Sequence, residues 1–379
     1  MLDFDNAMRR QVFSLPELIK QQYEDLEPKT RKLLSTPEIF SIQRIILTGC
    51  GDSYAAGLAT KHIFELLTGI PTEVVTSIEL SRLYDKKQLG FSPNNPLVIA
   101  VSHSGTVARV GESIERANKY GAFTVGVTAN QESYLGKKSQ RTLDLEVPSF
   151  ESSPGVRSYL VSVLSLLLLA IRFGEVRGKY TMDKANDYRA DIMEQSNLLS
   201  NTLQDLDRKM FEVSSEWKKM DAFDFIGAGF DYAAAWYGHA KVFEGTGKYA
   251  MHVNTEEWLH LNFFMRKVDK IGTVIFANST NPSYSRAKEV IGYSATELGR
   301  PTLVISDVNQ SEFPINCKIV ATPKTKYPIT MPLTQFVPAA LLSGYIAEMI
   351  GEEDGRGCKG NWSFAENGNA VKNSEIIVD

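Results

Sequence analysis

The 379-residue sequence has few cysteines and no large excess of charge of either sign. Its three cysteines, Cys50, Cys317 and Cys358, are too few and too scattered for a disulfide framework or a zinc site, as is typical of a reducing compartment. The formal net charge of -4 gives no electrostatic reason for nucleic acid or an anionic membrane to bind. We therefore expect a cytoplasmic protein whose partners include neither nucleic acid nor a membrane.

Long hydrophobic runs are also scarce. The apolar run 159–171 spans about 13 residues, whereas a membrane helix needs about 20, so it predicts a buried helix. The amino terminus carries charges throughout and lacks the apolar centre of a signal peptide. His62, His103, His239 and His252 show no metal-ligand spacing, so we predict no metal site.

Short runs rich in valine and isoleucine recur along the chain and alternate with helical stretches. This alternation is typical of βαβ units, in which helices connect parallel strands. The predicted strands are residues 44–48, 73–76, 97–102, 124–128, 142–147, 224–227, 249–253, 273–277, 302–306 and 318–322. Each of the last five lies roughly 175 to 180 residues after its counterpart, which indicates a duplicated unit of five strands.

The chain is longer than a single hydrophobic core usually extends, so two domains are expected. We predict two α/β domains, each with a five-stranded parallel sheet, over residues 1–200 and 201–350. A helical stretch that is polar on one face, residues 180–221, is predicted to connect them. Residues 351–379 are rich in glycine, asparagine and charge, and are predicted to form a tail that closes the site.

Two predicted strands end in residues suited to an anion-binding loop. The first leads through Gly49-Cys50-Gly51-Asp52-Ser53 into a helix, and the third through Ser102-His103-Ser104-Gly105-Thr106. Helix N-termini favour anions, and open parallel sheets bind ligands at the carboxyl ends of their strands. These residues are also ordinary helix caps, but two such loops at matching strand ends favour a phosphate site. A cationic His103 would strengthen it. The predicted substrate-binding residues of these loops are Cys50, Gly51, Asp52, Ser53, Ser102, His103, Ser104 and Thr106.

The two loops resemble the phosphate-binding motifs of the sugar isomerase (SIS) domain family. The resemblance is closest to the isomerase half of glucosamine-6-phosphate synthases, and it extends from about Leu15 to the tail. Residues 70–74 are similar to the second strand of that family, and residues 227–244 to the turn and helix that open its second domain. The resemblance implies two tandem three-layer α/β/α domains, a sugar 6-phosphate as substrate, and a homodimer with shared active sites.

The resemblance also implies catalytic residues in the second half. Lys241 and Glu244, three positions apart on one helix face, match the Lys-x-x-Glu helix of the synthases. His260 matches a histidine sixteen positions after that glutamate, which opens the sugar ring from the neighbouring subunit in that family. Lys372 resembles the lysine of the closing tail. The alternatives are a solvated ion pair for Lys241 and Glu244, and simple packing for His260.

Residues of these types suit the interconversion of an aldose and a ketose. An imidazole can protonate the ring oxygen near neutral pH, so that the sugar ring opens. One carboxylate can then move a proton between C1 and C2 through an enediol or enolamine. A lysine can hold the developing oxyanion or fix the carboxylate. The set therefore needs no metal and no redox cofactor.

Several positions depart from the synthase pattern and indicate a different substrate. Leu259-His260-Leu261-Asn262 stands where the synthases have Lys-His-Gly-Pro, and Val107 where a phosphate-binding threonine is usual. Val156 and Arg157 belong to the segment that covers the ligand. Arg157 is either a ligand for a substrate carboxylate or a solvated surface charge. We see no amino-terminal glutaminase domain, so glutamine hydrolysis is not expected.

Three functions are compatible with these residues. We expect an isomerase or deaminase that acts on an amino-sugar 6-phosphate. The first alternative is a deglycase that splits a 6-phosphorylated sugar–amino acid adduct through the same type of intermediate. The second, from another class, is a non-catalytic sugar-phosphate sensor, which needs the phosphate loops but not Glu244 and His260. The joint presence of those two residues favours an enzyme.

Overall fold

The structure is a computed structural model that describes residues 5–90, 92–352 and 371–379. An α-helix lies between each pair of successive strands except the last pair, which the 3-10 helix Gln310–Glu312 connects. In chain order the α-helices are α1 (Ala7–Phe13), α2 (Leu15–Leu33), α3 (Thr36–Ser41), α4 (Asp52–Thr68), α5 (Ser77–Arg82), α6 (Ala108–Tyr120), α7 (Tyr134–Lys138), α8 (Arg157–Val176), α9 (Met182–Trp217), α10 (Tyr232–Thr246), α11 (Thr255–His260), α12 (Tyr284–Gly292) and α13 (Val337–Met349).

The strands form two parallel sheets of five strands each, so the predicted α/β class is confirmed. Every predicted strand overlaps an observed one, and the ends differ by at most three residues. The strands are β1 (Arg44–Gly49), β2 (Thr72–Thr76), β3 (Pro96–Val101), β4 (Phe123–Thr128), β5 (Arg141–Asp144), β6 (Ala222–Ile226), β7 (Tyr249–Val253), β8 (Ile271–Phe276), β9 (Thr302–Ser306) and β10 (Lys318–Ala321).

The central strands are hydrophobic along their whole length because helices cover both faces of a parallel sheet. All six residues of β3 and of β8 are buried. On one face of the first sheet, Ile46 and Val98 pack in one cluster with Val110 and Ile114 of α6. In the second sheet the corresponding cluster contains Ile226, Ile275 and Val304 of three neighbouring strands, with Val290 and Ile291 of α12.

The two sheets have the same topology. The first sheet has the order β2-β1-β3-β4-β5, and the second, read from its other edge, has the order β7-β6-β8-β9-β10. In each sheet, the second of its strands in chain order lies on one side of the first strand, and the third lies on the other side. The chain therefore changes direction across the sheet between β1 and β3, and again between β6 and β8. Ligands of open parallel sheets bind at such switch points, beyond the carboxyl ends of the strands.

Each sheet lies in its own compact unit. Of the described residues, the first unit contains 18–90, 92–149, 157–190 and 371–379, and the second contains 5–17, 150–156 and 191–352. The helix α9, which the sequence predicts as a connector, begins among residues of the first unit and continues among those of the second. The predicted domain boundaries and the three-layer arrangement of each domain stay predictions.

The amino-terminal residues 5–17 group with the second sheet, whereas the sequence prediction assigns them to the first domain. Arg9 of α1 explains this grouping, because its Nη2 lies 2.9 Å from Oδ2 of the buried Asp207, and its Nε donates to the Tyr345 hydroxyl at 3.0 Å. Gly344 of α13 allows the close approach, since a Cβ there would lie 3.2 Å from Cβ of Met8. These partners are far apart in sequence, and no local pattern indicates them.

Two segments are long and apolar enough to cross a membrane by length and composition. They are Arg157–Val176 and Pro328–Met349, and their hydrophobic windows are 83% and 100% buried within the protein. The first contains the run 159–171, so the predicted buried helix is confirmed. Such burial is typical of the core helices of globular proteins.

Candidate functional site

The loops predicted to bind phosphate lie together at the switch point of the first sheet. β1 ends at Gly49 and β3 ends at Val101, and these two residues are paired across the sheet. The glycine loop (residues 49–53) leads from β1 into α4, and the phosphate loop (residues 102–106) leads from β3 towards α6. Adjacent parallel strands therefore bring both loops to one edge of the sheet, as the sequence predicts.

The glycine loop has a backbone that only glycine tolerates well. Gly51 has a φ of 58°, in the left-handed region that L-residues with a Cβ rarely adopt. A Cβ at Gly49 would lie 2.8 Å from the carbonyl carbon and from Cβ of Ser53. The loop consequently turns tightly, and Ser53 packs directly against the end of β1. Cys50 in this turn is exposed.

The phosphate loop offers several hydrogen-bond donors in a small space. The hydroxyl of the buried Ser102 accepts from the Gly105 N–H at 3.2 Å, and the hydroxyl oxygens of Ser104 and Thr106 are 3.0 Å apart. Gly105 has a φ of 66°, and a Cβ there would lie 1.9 Å from Oγ of Ser133. The loop shape therefore requires glycine at 105. Within the part of the chain that the structure describes, the backbone N–H groups of His103 and Ser104 have no acceptor.

His103 does not provide the positive charge that the sequence suggests. Burial lowers the pKa of His103, so the neutral imidazole is favoured at neutral pH. Its carbonyl oxygen accepts from the Ala129 N–H at 3.0 Å, which holds the phosphate loop against the end of β4. The loop would thus bind an anion through N–H and hydroxyl donors and not through a cationic imidazole.

The segment predicted to cover the ligand is divided between the two units. Val156 is fully buried in the second unit, where the hydroxyl of Tyr237 on α10 donates to the neighbouring Gly155 carbonyl at 3.1 Å. Arg157 begins α8 in the first unit, is 8% exposed, and donates from Nη2 to the Pro148 carbonyl at 3.1 Å. The interpretation of Arg157 as a solvated surface charge is therefore wrong, because it is buried and held by the backbone.

The end of the chain lies along α6. The Val371 carbonyl accepts from the N–H of Ala108, the first residue of α6, at 3.0 Å. The Ile377 N–H donates to Oε2 of the buried Glu112 at 2.8 Å. Lys372 is exposed and follows Val371, so its backbone lies close to the end of the phosphate loop. Residues 353–370 of the predicted tail lie outside the described residues.

The Lys241–Glu244 pair on α10 is not a solvated surface pair. The side chain of Lys241 is fully buried and that of Glu244 is 45% exposed, with Nζ of the lysine 2.5 Å from Oε2 of the glutamate. The ammonium also lies 5.1 Å from the centre of the Tyr237 ring. Burying an ammonium is costly unless it is paired. The pair therefore holds one carboxylate oxygen in place while much of the carboxyl group stays accessible.

The close packing of α10 against the second sheet explains how Lys241 becomes buried. A Cβ at Gly238 would lie 2.5 Å from the ring of Phe225 in β6, so glycine lets the helix approach the strand. On the other side the hydroxyl of Ser343 in α13 donates to the Lys241 carbonyl at 2.5 Å. Glycine and serine at these two positions give Lys241 a fixed place within the second unit.

His260 lies at the end of α11 in the second unit. Its side chain is 66% exposed, and Nε2 lies 3.4 Å from Oε1 of Glu256 one turn earlier. The alternative of simple packing for His260 is therefore not supported, because most of its side chain is exposed. The following residues Leu261, Phe264 and Met265 are also exposed, by 62%, 73% and 50%. His260 thus belongs to an exposed segment that contains several large apolar side chains.

A buried polar network fixes α11, and sequence reasoning missed it. Asp224 of β6 accepts hydrogen bonds from Nε1 of Trp258 at 3.0 Å, Nδ2 of Asn262 at 3.1 Å and Nη1 of Arg300 at 3.0 Å. Arg300 also stacks on the Trp258 ring, with 5.0 Å to its centre. The two residues that flank His260 closely, Trp258 and Asn262, are therefore both tied to the sheet. A charged residue in the middle of an apolar strand is the signal that could have indicated this network.

Two further histidines face each other on the second unit. The rings of His239 and His252 are 4.3 Å apart, and Trp236 packs against both. Burial, with a smaller contribution from His252, lowers the pKa of His239 to about 4. Among the described residues no group of three His, Cys, Asp or Glu side chains is placed to hold a metal ion.

The predicted residues therefore form two sets. The first unit contains both loops, Arg157 and Lys372, with the Lys372 backbone beside the phosphate loop. The second unit contains Val156, Lys241, Glu244 and His260, and only Lys241 and Glu244 are in direct contact with each other. The substrate and catalytic roles of all these residues stay predictions.

Known proteins are similar to this chain in sequence. The SIS domain model matches residues 38–172. The glutamine–fructose-6-phosphate aminotransferase of Thermotoga maritima is 28% identical over 313 residues, which cover 81% of this chain and 49% of that protein. The enzyme of the same name from Clostridium tetani is 23% identical and covers 91% and 56%. The chain thus spans about half the length of the curated relatives it matches.

Solved structures share the fold over nearly the whole chain. The C-terminal domain of glucosamine-fructose-6-phosphate aminotransferase from Francisella tularensis has a TM-score of 0.82 at 16% identity, and covers 93% of this chain and 98% of that one. Tagatose-6-phosphate ketose/aldose isomerase from Escherichia coli has a TM-score of 0.72 at 14% identity, and covers 94% and 96%. Residues 38–172 therefore match the SIS domain model, and nearly the whole chain shares the fold of these structures, with the predicted pair of parallel sheets.

Proposed function

We propose that this protein binds an amino-sugar 6-phosphate and acts on it as an isomerase or deaminase. The observation that carries the proposal is the phosphate loop, in which the N–H groups of His103 and Ser104 have no acceptor among the described residues and lie beside the hydroxyls of Ser104 and Thr106. A dianionic phosphate accepts several such hydrogen bonds at once, and each is stronger than one between neutral groups. The switch point of the first sheet is where the fold favours a ligand.

The proposed proton transfer belongs to Glu244. Its carboxylate is half exposed, and Lys241 holds one of its oxygens, so the other oxygen is free to face a substrate. A carboxylate positioned in this way can remove the proton from C2 of an open-chain sugar and return it to C1. In this mechanism Lys241 orients the base and balances its charge, and it does not itself take up the proton.

The proposed ring opening belongs to His260, and it includes a homodimer. An exposed imidazole can give a proton to the ring oxygen of a bound sugar. His260 is followed in the chain by the exposed apolar side chains of Leu261, Phe264 and Met265, which a second copy of the chain would cover. We propose that the partner copy brings His260 to the active site, and that the protein works in the cytoplasm.

Of the two enzymatic alternatives, we favour the amino sugar over the sugar–amino acid adduct. A deglycase has to bind the carboxylate of the amino acid, and Arg157 is the residue that the sequence suggests for this role. Its guanidinium is buried and donates to a backbone carbonyl, so it is already engaged within the first unit. A known deaminase, the glucosamine-6-phosphate deaminase of Thermotoga maritima, has this fold with a TM-score of 0.64 at 19% identity. The buried Lys241 beside Glu244 favours an enzyme over a sensor, because a sensor does not need this costly arrangement.

The test is to assay the products from two substrates and to measure binding in parallel. The protein is incubated with glucosamine 6-phosphate and with a fructosamine 6-phosphate adduct, and ammonia, free amino acid and hexose phosphate are quantified. We expect turnover of the amino sugar, and no binding of glucosamine without its phosphate. Release of amino acid from the adduct alone would favour the deglycase. Tight binding of both phosphates without any turnover would identify a sensor.

A further inference from the structure

The switch point of the second sheet repeats the geometry of the first. Gly229 has a φ of 56°, and Gly51 of the glycine loop has a φ of 58°. A Cβ at Gly227 would lie 2.5 Å from the carbonyl oxygen of Asp231, just as a Cβ at Gly49 would meet Ser53. Asp231 therefore occupies in the second unit the position that Ser53 occupies in the first.

The loops after the third strand of each unit also correspond. The N–H of Ser102 donates to Val127 of β4 at 3.0 Å, and the N–H of Ala277 donates to Ile305 of β9 at 2.9 Å. Counting from these residues, Asn278 corresponds to His103 and Ser279 to Ser104. The backbone donors that would meet a phosphate in the first unit thus have direct counterparts in the second.

In the second unit each of these donors already has a carboxylate as its acceptor, which is Asp231 for Asn278 and Asp307 for Ser279. The Asn278 N–H donates to Oδ2 of Asp231 at 3.2 Å, and the side chain of Asn278 donates to Oδ1. Asn281 donates from Nδ2 to Oδ2 at 2.8 Å. Ser279 is turned away, and its N–H and hydroxyl contact Asp307 at 2.6 Å and 2.7 Å.

The network around Asp231 is buried and complete. Asp231, Asn278 and Asn281 are at most 4% exposed. Gln335 accepts from Nδ2 of Asn278 at 3.1 Å and donates to the Phe230 carbonyl at 2.8 Å, so a second layer fixes the asparagine. A buried carboxylate needs such compensation, because an unpaired one would be strongly destabilising.

We infer that the carboxylate of Asp231 fills the anion site of the second unit, so that each chain has a single phosphate site, in the first unit. For the first site the inference rests on the proposed function. For the second site it rests only on the contacts of Asp231. It follows that Asp231→Ser, which restores the residue type of Ser53, opens a second site for inorganic phosphate. The reciprocal change, Ser53→Asp, closes the first site by placing a carboxylate against the N–H group of His103, as Asp231 does with that of Asn278.

The experiment is equilibrium dialysis of the full chain against radiolabelled inorganic phosphate at pH 7.5. We expect one phosphate per chain for the wild type, two for Asp231→Ser and none for Ser53→Asp. Asp231→Asn is the matched control, since its amide keeps the space filled, and it should bind one phosphate. Phosphate should also raise the melting temperature of Asp231→Ser by several degrees more than that of Asp231→Asn.

Each outcome either supports the inference about Asp231 or overturns it. Equal stoichiometry and equal thermal response of the folded Asp231→Ser and Asp231→Asn proteins would overturn the inference, as would two phosphates on the wild type. If Asp231→Ser does not fold, retention of phosphate binding by Ser53→Asp would overturn it. If the wild type binds no phosphate but Asp231→Ser gains one, the inference about the second unit stands and the proposed function fails.

Discussion

The two units place the same pair of loops beyond the same two strands, and what lies in the loops differs. In the first unit the glycine loop ends in the hydroxyl of Ser53, and the phosphate loop has two N–H groups for which residues 5–90, 92–352 and 371–379 provide no acceptor. In the second unit the equivalent position is the carboxylate of Asp231, which accepts from the Asn278 N–H, and Asp307 accepts from the Ser279 N–H. The glycines that shape both turns are the same. A duplicated fold therefore conserves backbone geometry, whereas single side chains decide whether an anion has a place to bind.

The units also differ in where they bury charge. The second unit buries Lys241 against Glu244 and Asp224 against Arg300, while the phosphate loop of the first unit presents the hydroxyls of Ser102, Ser104 and Thr106. Under the proposed function, the first unit binds the phosphate and the second transfers the proton. It predicts that variants in one unit change affinity and variants in the other change turnover.

The largest expected effect is on turnover, from Glu244→Gln. Loss of the proposed base should lower kcat by about 10²–10⁴-fold, with little change in the affinity for the sugar phosphate because the phosphate loop is intact. Steady-state kinetics, calorimetry and solvent-deuterium incorporation at C1 or C2 measure both effects. The control is Glu216→Gln on α9, whose carboxylate pairs with Lys318. Deuterium exchange at the wild-type rate in Glu244→Gln would remove this residue from the mechanism.

The next effect is on affinity, from Ser102→Ala combined with Ser104→Ala. Hydrogen bonds to charged groups are worth about 1.5–3 kcal/mol each, so the Kd for a sugar phosphate should rise by at least about tenfold per serine that binds it. The matched control is Ser279→Ala, since Ser279 has the position of Ser104 in the second unit but bonds to Asp307. Calorimetry should show no change in phosphosugar affinity for the control. An equal loss of phosphosugar affinity in Ser279→Ala would contradict the proposed difference between the two units.

A third prediction concerns the pH dependence of stability. Burial, opposed by hydrogen bonds from Asn278 and Asn281, raises the pKa of Asp231 to about 6 from 3.8, and the charge of Asp307 contributes. Between these values the folded protein keeps the proton that the unfolded chain loses, so stability decreases as pH rises through this range. The shift corresponds to about 3 kcal/mol.

Urea unfolding of the wild type and of Asp231→Asn between pH 4 and pH 7 measures this contribution. The stability of the wild type relative to the variant should decrease with rising pH and then level off above about pH 6. Asp205→Asn, on the exposed side of α9, serves as control for a general change of charge. A constant difference between wild type and Asp231→Asn would show that Asp231 is ionised throughout.

The smallest effect should come from the chain end that lies along α6. Glu112→Gln weakens the acceptor for the Ile377 N–H and the ion pairs with Arg82 and Arg109. We expect KM to rise by about three- to tenfold, which is the size of the net contribution of a typical hydrogen bond, because the Lys372 backbone is held less firmly beside the phosphate loop.

Glu115→Gln is the matched control, one turn further along the same helix, since Glu115 pairs with Lys138 and not with the chain end. Limited proteolysis should release the chain end faster in Glu112→Gln than in Glu115→Gln. If the two variants have the same KM and the same proteolysis rate, the contact of Glu112 with the chain end has no role in binding.

The sequence allowed the ten strands, both loops and the duplication to be predicted because these features depend on neighbouring residues. Apolar runs form buried strands, and glycine and hydroxyl residues after them mark turns and helix starts, whatever the rest of the chain does. The pairing of Lys241 with Glu244 could also be predicted, since residues three apart share a helix face.

Only the tertiary structure decided what surrounds these residues. The burial of Lys241 depends on Ser343, 102 residues away, and the carboxylate of Asp231 meets Asn278, 47 residues away. Contacts of Arg9 with Asp207 and Tyr345 hold residues 5–17 in the second unit, although these residues precede the first sheet in the sequence. Local patterns specify which elements form, but burial and charge compensation arise where distant segments pack together. The sequence by itself therefore determined the duplicated fold and its loops, and packing determined which loop is open to an anion and which is already filled.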